Sequence, residues 1–195
     1  DEEPDEFEQA LFAMRDRLFA IIKPETPVSF DEKLDRLHLA CCEMQNEYDD
    51  LLFPVEGDAE YADEEDEPFR WSAMFWSEAC LKALTERLMS LEINKDDWRT
   101  LLTGAKARLP EILARREAFL QAYQGKRHEY DNLLTYFLYR HFMKALGDDA
   151  VQDKVQLALV STAVIQLLDV YEWLAKGEVT HWAQICICKA YSREI

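Results

Sequence analysis

The sequence predicts an all-α fold, an irregular bundle of about seven helices around one nearly fully buried central helix. Apolar residues make up 49% of the 195-residue chain and aromatic residues 12%, which is enough to fill a sizeable core. Only five glycines and six prolines are present, as is typical of long helices joined by few tight turns. Apolar side chains also recur at spacings of three and four residues. We therefore expect a single helical domain over residues 1–195.

Start and stop signals delimit the first two helices. Apolar side chains have helical spacing over residues 5–23, and Pro24 ends this helix because the residue before a proline disfavours helical geometry. Ser29 and Glu32 have the spacing of a capping box, in which the serine oxygen accepts a backbone N–H and the glutamate reaches back. We therefore expect a long second helix from Ser29 to about Phe53.

Acidity is concentrated in the N-terminal third of the chain. Residues 1–69 contain 23 acidic and 5 basic residues, whereas residues 70–195 contain 16 acidic and 17 basic residues. Eight of the twelve residues 56–67 are acidic, and such a run cannot bury enough apolar surface to offset its ordering entropy. We expect a mobile acidic loop over residues 54–68. The negative charge disfavours nucleic acid and anionic membranes, so we expect neither as a partner.

The middle of the chain should contain several helices separated by recognisable breaks. A third helix is expected over residues 69–91, and Asn94 has the side chain of an N-cap for the next one. Pro110 predicts a kink or break, because proline lacks an N–H group and clashes with the preceding turn. The following helix, residues 126–146, is expected to end at Gly147 in a left-handed cap.

The most apolar segment of the chain is residues 151–174. Asp149 and Gln152 resemble a capping-box pair at its start. Apolar residues cover nearly every face of the segment, which predicts a buried central helix. Its uncharged part, residues 155–168, is shorter than the roughly 20 residues that cross a bilayer, so we expect no membrane span. Thr180 is the expected N-cap of a last helix.

Cysteine usage indicates free thiols in a reducing compartment, and hence a cytoplasmic protein. The chain has five cysteines, an odd number. His38, Cys41 and Cys42 share one side of a helix and have the spacing of a metal half-site, but buried cysteine more often packs as a small hydrophobe. Cys186 and Cys188 point in different directions on a helix. We expect no metal site in this chain.

The segment around residues 132–142 has the most distinctive pattern in the chain. One predicted helix face carries an amide, two phenols and a guanidinium at positions i, i+4, i+7 and i+8, namely Asn132, Tyr136, Tyr139 and Arg140. Such a face can line a polar cleft, and Tyr191 and Arg193 are further candidates for residues that line it. The alternative is that the aromatic rings pack in the core while their polar tips reach water.

A second candidate surface is an aromatic cluster beside the acidic loop. Its members are Phe69, Trp71, Phe75 and Trp76. Exposed aromatic clusters are typical of protein–protein interfaces. This cluster supports an alternative hypothesis, in which the chain is a non-enzymatic helical module that binds another protein.

Several segments together resemble a known protein family. The segment 132–142 and the terminal residues 191–195 are similar to the C-terminal half of bacterial flagellin lysine-N-methylases. Residues 11–22 and 29–37 also resemble the short helix and capped long helix that follow the cysteine-rich part of this family. The similarity spans most of the chain and consists of helical patterns.

The resemblance implies methyl transfer from S-adenosylmethionine to lysine side chains of flagellin or another lysine-bearing protein. It also implies an N-terminal cysteine-rich domain, holding a metal or an iron–sulfur cluster, as a partner of this chain. The five cysteines present here match none of that ligand run, and nucleophile motifs and glycine-rich phosphate loops are missing from the sequence. We therefore expect the chain to support substrate binding without being catalytic alone.

Overall fold

The computed structural model describes residues 3–54, 69–91 and 96–194, and over these ranges the chain is all-α. Nine α-helices lie within the described ranges: α1 Glu6–Ile22, α2 Phe30–Leu52, α3 Trp71–Phe75, α4 Glu78–Ser90, α5 Asp96–Ala107, α6 Leu109–Ala122, α7 His128–His141, α8 Val151–Lys176 and α9 His181–Glu194. Short 3-10 helices span Gln124–Lys126 and Phe142–Gly147. The predicted fold class is confirmed, although we expected about seven helices. The predicted acidic loop lies outside the described residues, apart from Pro54.

The chain divides into two compact units. The first unit comprises Asp1–Ser72 and Asp131–Val160, and the second comprises Ala73–Tyr130 and Ser161–Ile195. The boundaries fall inside α3, α7 and α8, so these helices contribute residues to both units. The expectation of a single domain stays a prediction.

In the first unit, α1 packs against α2 and against the 3-10 helix Phe142–Gly147. Leucine and methionine side chains of α1 and α2 are fully or almost fully buried, namely Leu11, Met14, Leu18, Leu34, Leu37 and Met44. Burying one such side chain contributes about 1.5–3 kcal/mol. Asp5 and Glu8 form a capping box at the start of α1, whose C-cap is Lys23, as Pro24 predicts. The residues that flank α1 therefore determine where this helix begins and ends.

The N-cap of α2 is Ser29, which accepts the N–H of Glu32 at 3.1 Å. The second contact of the predicted capping box, from the Glu32 side chain back to the Ser29 N–H, does not form. The Glu32 carboxylate accepts a hydrogen bond from Arg36, one turn further along α2, at 2.5 Å. An i,i+4 ion pair therefore replaces the contact with the N-cap backbone.

A serine divides the predicted third helix into α3 and α4. The Ser77 hydroxyl donates to the carbonyl of Met74 at 2.7 Å and accepts the N–H of Cys80 at 3.2 Å. The same side chain thus closes one helix and caps the next. At the following predicted break, Pro110 lies in the first turn of α6, where its missing N–H costs nothing, and Arg108 separates α5 from α6.

The start of α8 differs from the sequence prediction. Gly147 does not adopt the predicted left-handed conformation, which falls instead on Asp149 at φ 57°. The side chain of Gln45, on α2, donates to the carbonyl of Asp149 at 2.9 Å and accepts the N–H of Gln152 at 2.9 Å. The start of α8 is therefore capped by a side chain from another helix, and the predicted Asp149–Gln152 capping pair is wrong.

The second unit is built from α4, α5 and α6, which pack on one another, and from α9, which packs on α5. A Cβ at Gly104 of α5 would overlap the Tyr171 hydroxyl of α8, so any larger residue there requires the Tyr171 side chain to shift. The largest fully buried side chains of this unit are Trp98, Phe119 and Tyr130. The missing side chain of Gly104 therefore leaves room for the Tyr171 side chain.

The predicted buried helix is confirmed as α8. Every residue from 161 to 170 is buried. By length and composition α8 is the one helix among the described residues that meets the criteria for a membrane span, but 72% of its most apolar window is buried inside the protein. Burial of this kind is typical of the core helix of a soluble protein.

Candidate functional site

The polar face of α7 lies on the surface of the first unit. We call the exposed side chains Asn132, Tyr136, Tyr139 and Arg140 the α7 face. Tyr136 is 45% exposed and Tyr139 73% exposed, while Leu134 and Leu138 on the other side of the helix are buried. The Arg140 guanidinium donates to the Tyr136 hydroxyl at 2.6 Å. Tyrosine and arginine on an open surface are typical of protein-binding sites.

The two other residues predicted for the cleft lie in the second unit. Tyr191 is buried, and its hydroxyl donates to Ser161 at 2.6 Å while its ring packs edge-on against Trp98. Arg193 is exposed on the last turn of α9. Tyr191 therefore has a packing role in the second unit.

The predicted aromatic cluster is only partly exposed. Phe69 is 50% exposed, whereas Trp71 and Phe75 are core residues. In the first unit, the Trp71 indole donates to Gln156 at 2.9 Å. In the second unit, Trp76 is half-buried beneath the Arg116 guanidinium, 4.0 Å from the ring centre. Two of the four rings thus offer little surface to a partner.

His38, Cys41 and Cys42 are brought together on α2, with their ligand atoms all within 4.8 Å of one another. The hydrogen bonds fix the tautomer of the imidazole. Since the Trp71 indole can only donate, the Gln156 oxygen faces Trp71, and the Gln156 amide nitrogen faces His38 Nδ1 at 2.6 Å. Nδ1 therefore accepts a hydrogen bond, which leaves the proton on Nε2.

The protonated Nε2 of His38 points at the Cys42 sulfur, 3.9 Å away. In this tautomer Nδ1 is engaged by Gln156 and Nε2 carries the proton, so coordination by His38 would require a change of tautomer and of its hydrogen bonds. Burial raises the pKa of Cys41 to about 12, and burial also lowers the pKa of His38. The cluster is a hydrogen-bonded network, and the absence of a metal site from this chain stays a prediction.

A groove of about 640 Å³ lies in the second unit between α5, α9 and the C-terminal end of α8. Its apolar wall includes Leu101, Ile187 and Ala190, and its polar groups include Asp97 and Glu178. Trp182, at one side, is 68% exposed and is the most exposed tryptophan among the described residues. The groove therefore combines an apolar wall, carboxylates and an open indole ring.

The turn between α8 and α9 positions the groove residues. Gly177 ends α8 at φ 80° and donates its N–H to the Trp173 carbonyl at 2.7 Å. Thr180 caps α9 by accepting the N–H of Ala183 at 3.1 Å, as predicted. Lys126 also donates to the carbonyl of Val179 at 3.0 Å, which ties the turn to the rest of the unit. The turn is therefore held at both ends and in its middle.

The charge of the groove is negative. Lys176 pairs with Glu172 at 2.5 Å, and the hydrogen bond to this carboxylate raises the pKa of Lys176. Asp97 accepts the N–H of Trp98 at 2.9 Å. Within the described ranges no basic side chain pairs with Asp97 or Glu178, so these two carboxylates set the sign of the local potential.

A buried polar network lies in the same unit and was missed by sequence reasoning. The Asp169 carboxylate accepts hydrogen bonds from Tyr130 at 2.9 Å and from Gln184 at 3.2 Å, and burial raises the pKa of Asp169 to about 7. Three further atoms on α8, Thr162 Oγ1, Gln166 Nε2 and Asp169 Oδ1, are buried without a hydrogen-bond partner among the described residues. The sequence signal was the spacing i, i+4 and i+7 of these polar residues inside an apolar helix.

In a comparison with protein families, residues 30–195 match the FliB lysine N-methylase C-terminal domain. No curated protein and no solved structure matches the chain. The family match covers α2 to α9, and therefore includes both the α7 face and the groove. The chain belongs to the FliB lysine N-methylase C-terminal domain family.

Proposed function

We propose that this chain is the substrate-binding helical part of a protein lysine methylase and is not catalytic alone. The family membership over residues 30–195 is the observation that carries this proposal, because the family is defined as the C-terminal domain of a lysine N-methylase. The substrate is flagellin or another lysine-bearing protein. The residues that catalyse methyl transfer then belong to an N-terminal cysteine-rich domain, which is the partner of this chain.

The α7 face supports a role in binding a protein. Tyr136 and Tyr139 expose rigid rings that lose little conformational entropy when a partner covers them. Arg140 is held beside Tyr136 by a hydrogen bond, so its guanidinium is already oriented. This face is open on the first unit, and a protein surface can reach all four of its side chains.

The cofactors of the reaction belong to the rest of the enzyme in this proposal. S-adenosylmethionine supplies the methyl group, and a metal or iron–sulfur cluster is held by the cysteine-rich domain. The one group of histidine and cysteine ligands that the described residues bring together is engaged in hydrogen bonds among its members and with Gln156, which supports placing the cluster in the rest of the enzyme. In this proposal no step of the reaction is assigned to this chain.

Substitutions on the α7 face test the proposal in the intact methylase. We expect Tyr136→Phe, Tyr139→Ala and Arg140→Ala together to raise the KM for flagellin about tenfold, the effect of losing roughly 1.4 kcal/mol of binding, with kcat close to the wild-type value. Arg36→Ala is the matched control, since Arg36 is an exposed arginine of the same unit outside the face. A triple variant that methylates flagellin with unchanged kcat and KM would show that the face does not contact the substrate.

A further inference from the structure

We propose that the groove beside Trp182 binds the side chain of a lysine on a protein segment. The groove is distinct from the α7 face, being built by α5, α8 and α9 in the second unit. The proposal rests on the proposed function only for the identity of the protein that brings the lysine. The chemistry of the groove itself specifies an elongated apolar ligand that ends in a positive charge.

The apolar wall matches the stem of a lysine. Four methylene groups precede the ammonium of this side chain, and such stems pack along apolar surface while the charged end stays near water. Ile187 and Ala190 are buried in the wall of the groove and Leu101 is half-buried. The volume of about 640 Å³ lies within the usual range for ligand sites, roughly 300–1,000 Å³, which leaves room for the residues beside the lysine.

The carboxylates select a cation. Asp97 and Glu178 are exposed and line the same groove, whereas the one amine of the groove, Lys176, is already neutralised by Glu172 at 2.5 Å. An anionic ligand would be repelled by these carboxylates, and a neutral ligand would gain no electrostatic attraction from them. An incoming ammonium is attracted by two carboxylates that have no basic partner within the described parts of the chain.

The exposed indole of Trp182 adds a second attraction for a cation. Tryptophan is the aromatic side chain that binds cations best through its ring face, by about 0.5–1 kcal/mol at an exposed site. Thr180 fixes the start of α9 two residues earlier, so the backbone that carries the indole is ordered before a ligand arrives. A large aromatic ring that is left open beside carboxylates is chemically suited to an ammonium group.

Binding of short peptides to the intact protein tests this site. The probe is an end-capped hexapeptide with one central lysine and neutral flanking residues, titrated calorimetrically at low salt. A second peptide has norleucine at the centre, which keeps the stem and removes the charge. We expect the lysine peptide to bind and the norleucine peptide to bind at least tenfold more weakly, since both carboxylates and the indole act on the charge.

Three variants of the protein assign the binding to the groove. We expect Trp182→Ala to weaken binding of the lysine peptide on the order of fivefold and Glu178→Gln about threefold. Glu117→Gln is the matched control, because Glu117 is an exposed carboxylate of α6 outside the groove. Its affinity for the peptide should equal that of the wild-type protein.

Three results would overturn the assignment: no binding at millimolar peptide, equal binding of the norleucine peptide, or unchanged affinity of both groove variants. A failure here is separable from a failure of the proposed function. If the α7-face variants raise the KM for flagellin while the groove variants bind lysine peptide normally, only the groove assignment is wrong. The opposite pattern would reject the α7 face and keep the groove.

Discussion

Asp169 lies in an environment that disfavours its charged form. The side chain is fully buried on α8, and burial raises the pKa of Asp169 to about 7, with smaller contributions from the negative charges of Glu129 and Glu172. Hydrogen bonds from Tyr130 and Gln184 act in the opposite direction, because they stabilise the carboxylate. A buried acid of this kind makes the stability of the second unit depend on pH.

The pH dependence has a definite sign. The folded protein binds the Asp169 proton more tightly than the unfolded chain, so the contribution of this group is fully favourable below about pH 4 and is lost as the pH rises to about 7. We expect the free energy of unfolding of the wild type, minus that of Asp169→Asn, to fall by roughly 2–4 kcal/mol between pH 4 and pH 8. Urea titrations at several pH values measure this difference. A difference that rises with pH, or stays flat, would mean that Asp169 is ionised in the folded protein.

Gln45 shows how one side chain can determine where a helix begins. Its amide bonds both the Asp149 carbonyl and the Gln152 N–H, so α2 supplies the N-terminal cap of α8 within the first unit. The first N–H groups of a helix have no partner within the helix, and leaving one of them unpaired costs about 1–2 kcal/mol. The start of α8 is thus coupled to the packing of α2.

Removal of this cap should be measurable at equilibrium. We expect Gln45→Ala to lower the free energy of unfolding by about 1–2 kcal/mol. Gln121→Ala is the control, because Gln121 is an exposed glutamine whose side chain donates a long hydrogen bond of 3.4 Å to Glu117. We expect that control to change stability by less than about 0.5 kcal/mol. If the two variants are equally stable, Gln45 does not cap α8.

The helices were predictable from the sequence where local signals determine them. Apolar periodicity located α1 and α8, and Ser29 and Thr180 marked the N-caps of α2 and α9. The prediction failed at the start of α8, because Gln45 lies more than a hundred residues from the backbone it caps. Local patterns do not contain such partners.

The two proposed binding surfaces also differ in whether local sequence patterns could predict them. The α7 face was predictable because Asn132, Tyr136, Tyr139 and Arg140 share one helix, and the 3.6-residue period places them together. The groove was missed because Asp97, Glu178 and Trp182 come from two helices and a turn that meet only after folding. Its one local signal was Trp182, a large aromatic residue of α9. The apolar pattern of that helix does not indicate that this side chain is exposed.

At the scale of the whole molecule, we expect the two surfaces to bind different parts of the substrate. The α7 face offers tyrosines and an arginine to a protein surface, while the groove offers carboxylates and an indole to a cation. Both lie within residues 30–195, the range that matches the family. Our central claim is that this helical region binds the lysine-bearing substrate and leaves methyl transfer to the rest of the enzyme.

The most direct test of that claim measures binding and methyl transfer separately on the 195-residue chain. Purified chain is titrated with unmethylated flagellin, and a parallel sample is incubated with flagellin and S-adenosylmethionine carrying a labelled methyl group. We expect flagellin to bind in the first experiment and no label to be transferred above background in the second, whereas the intact methylase transfers it. Transfer of label by the chain alone, or no binding of flagellin, would contradict the claim.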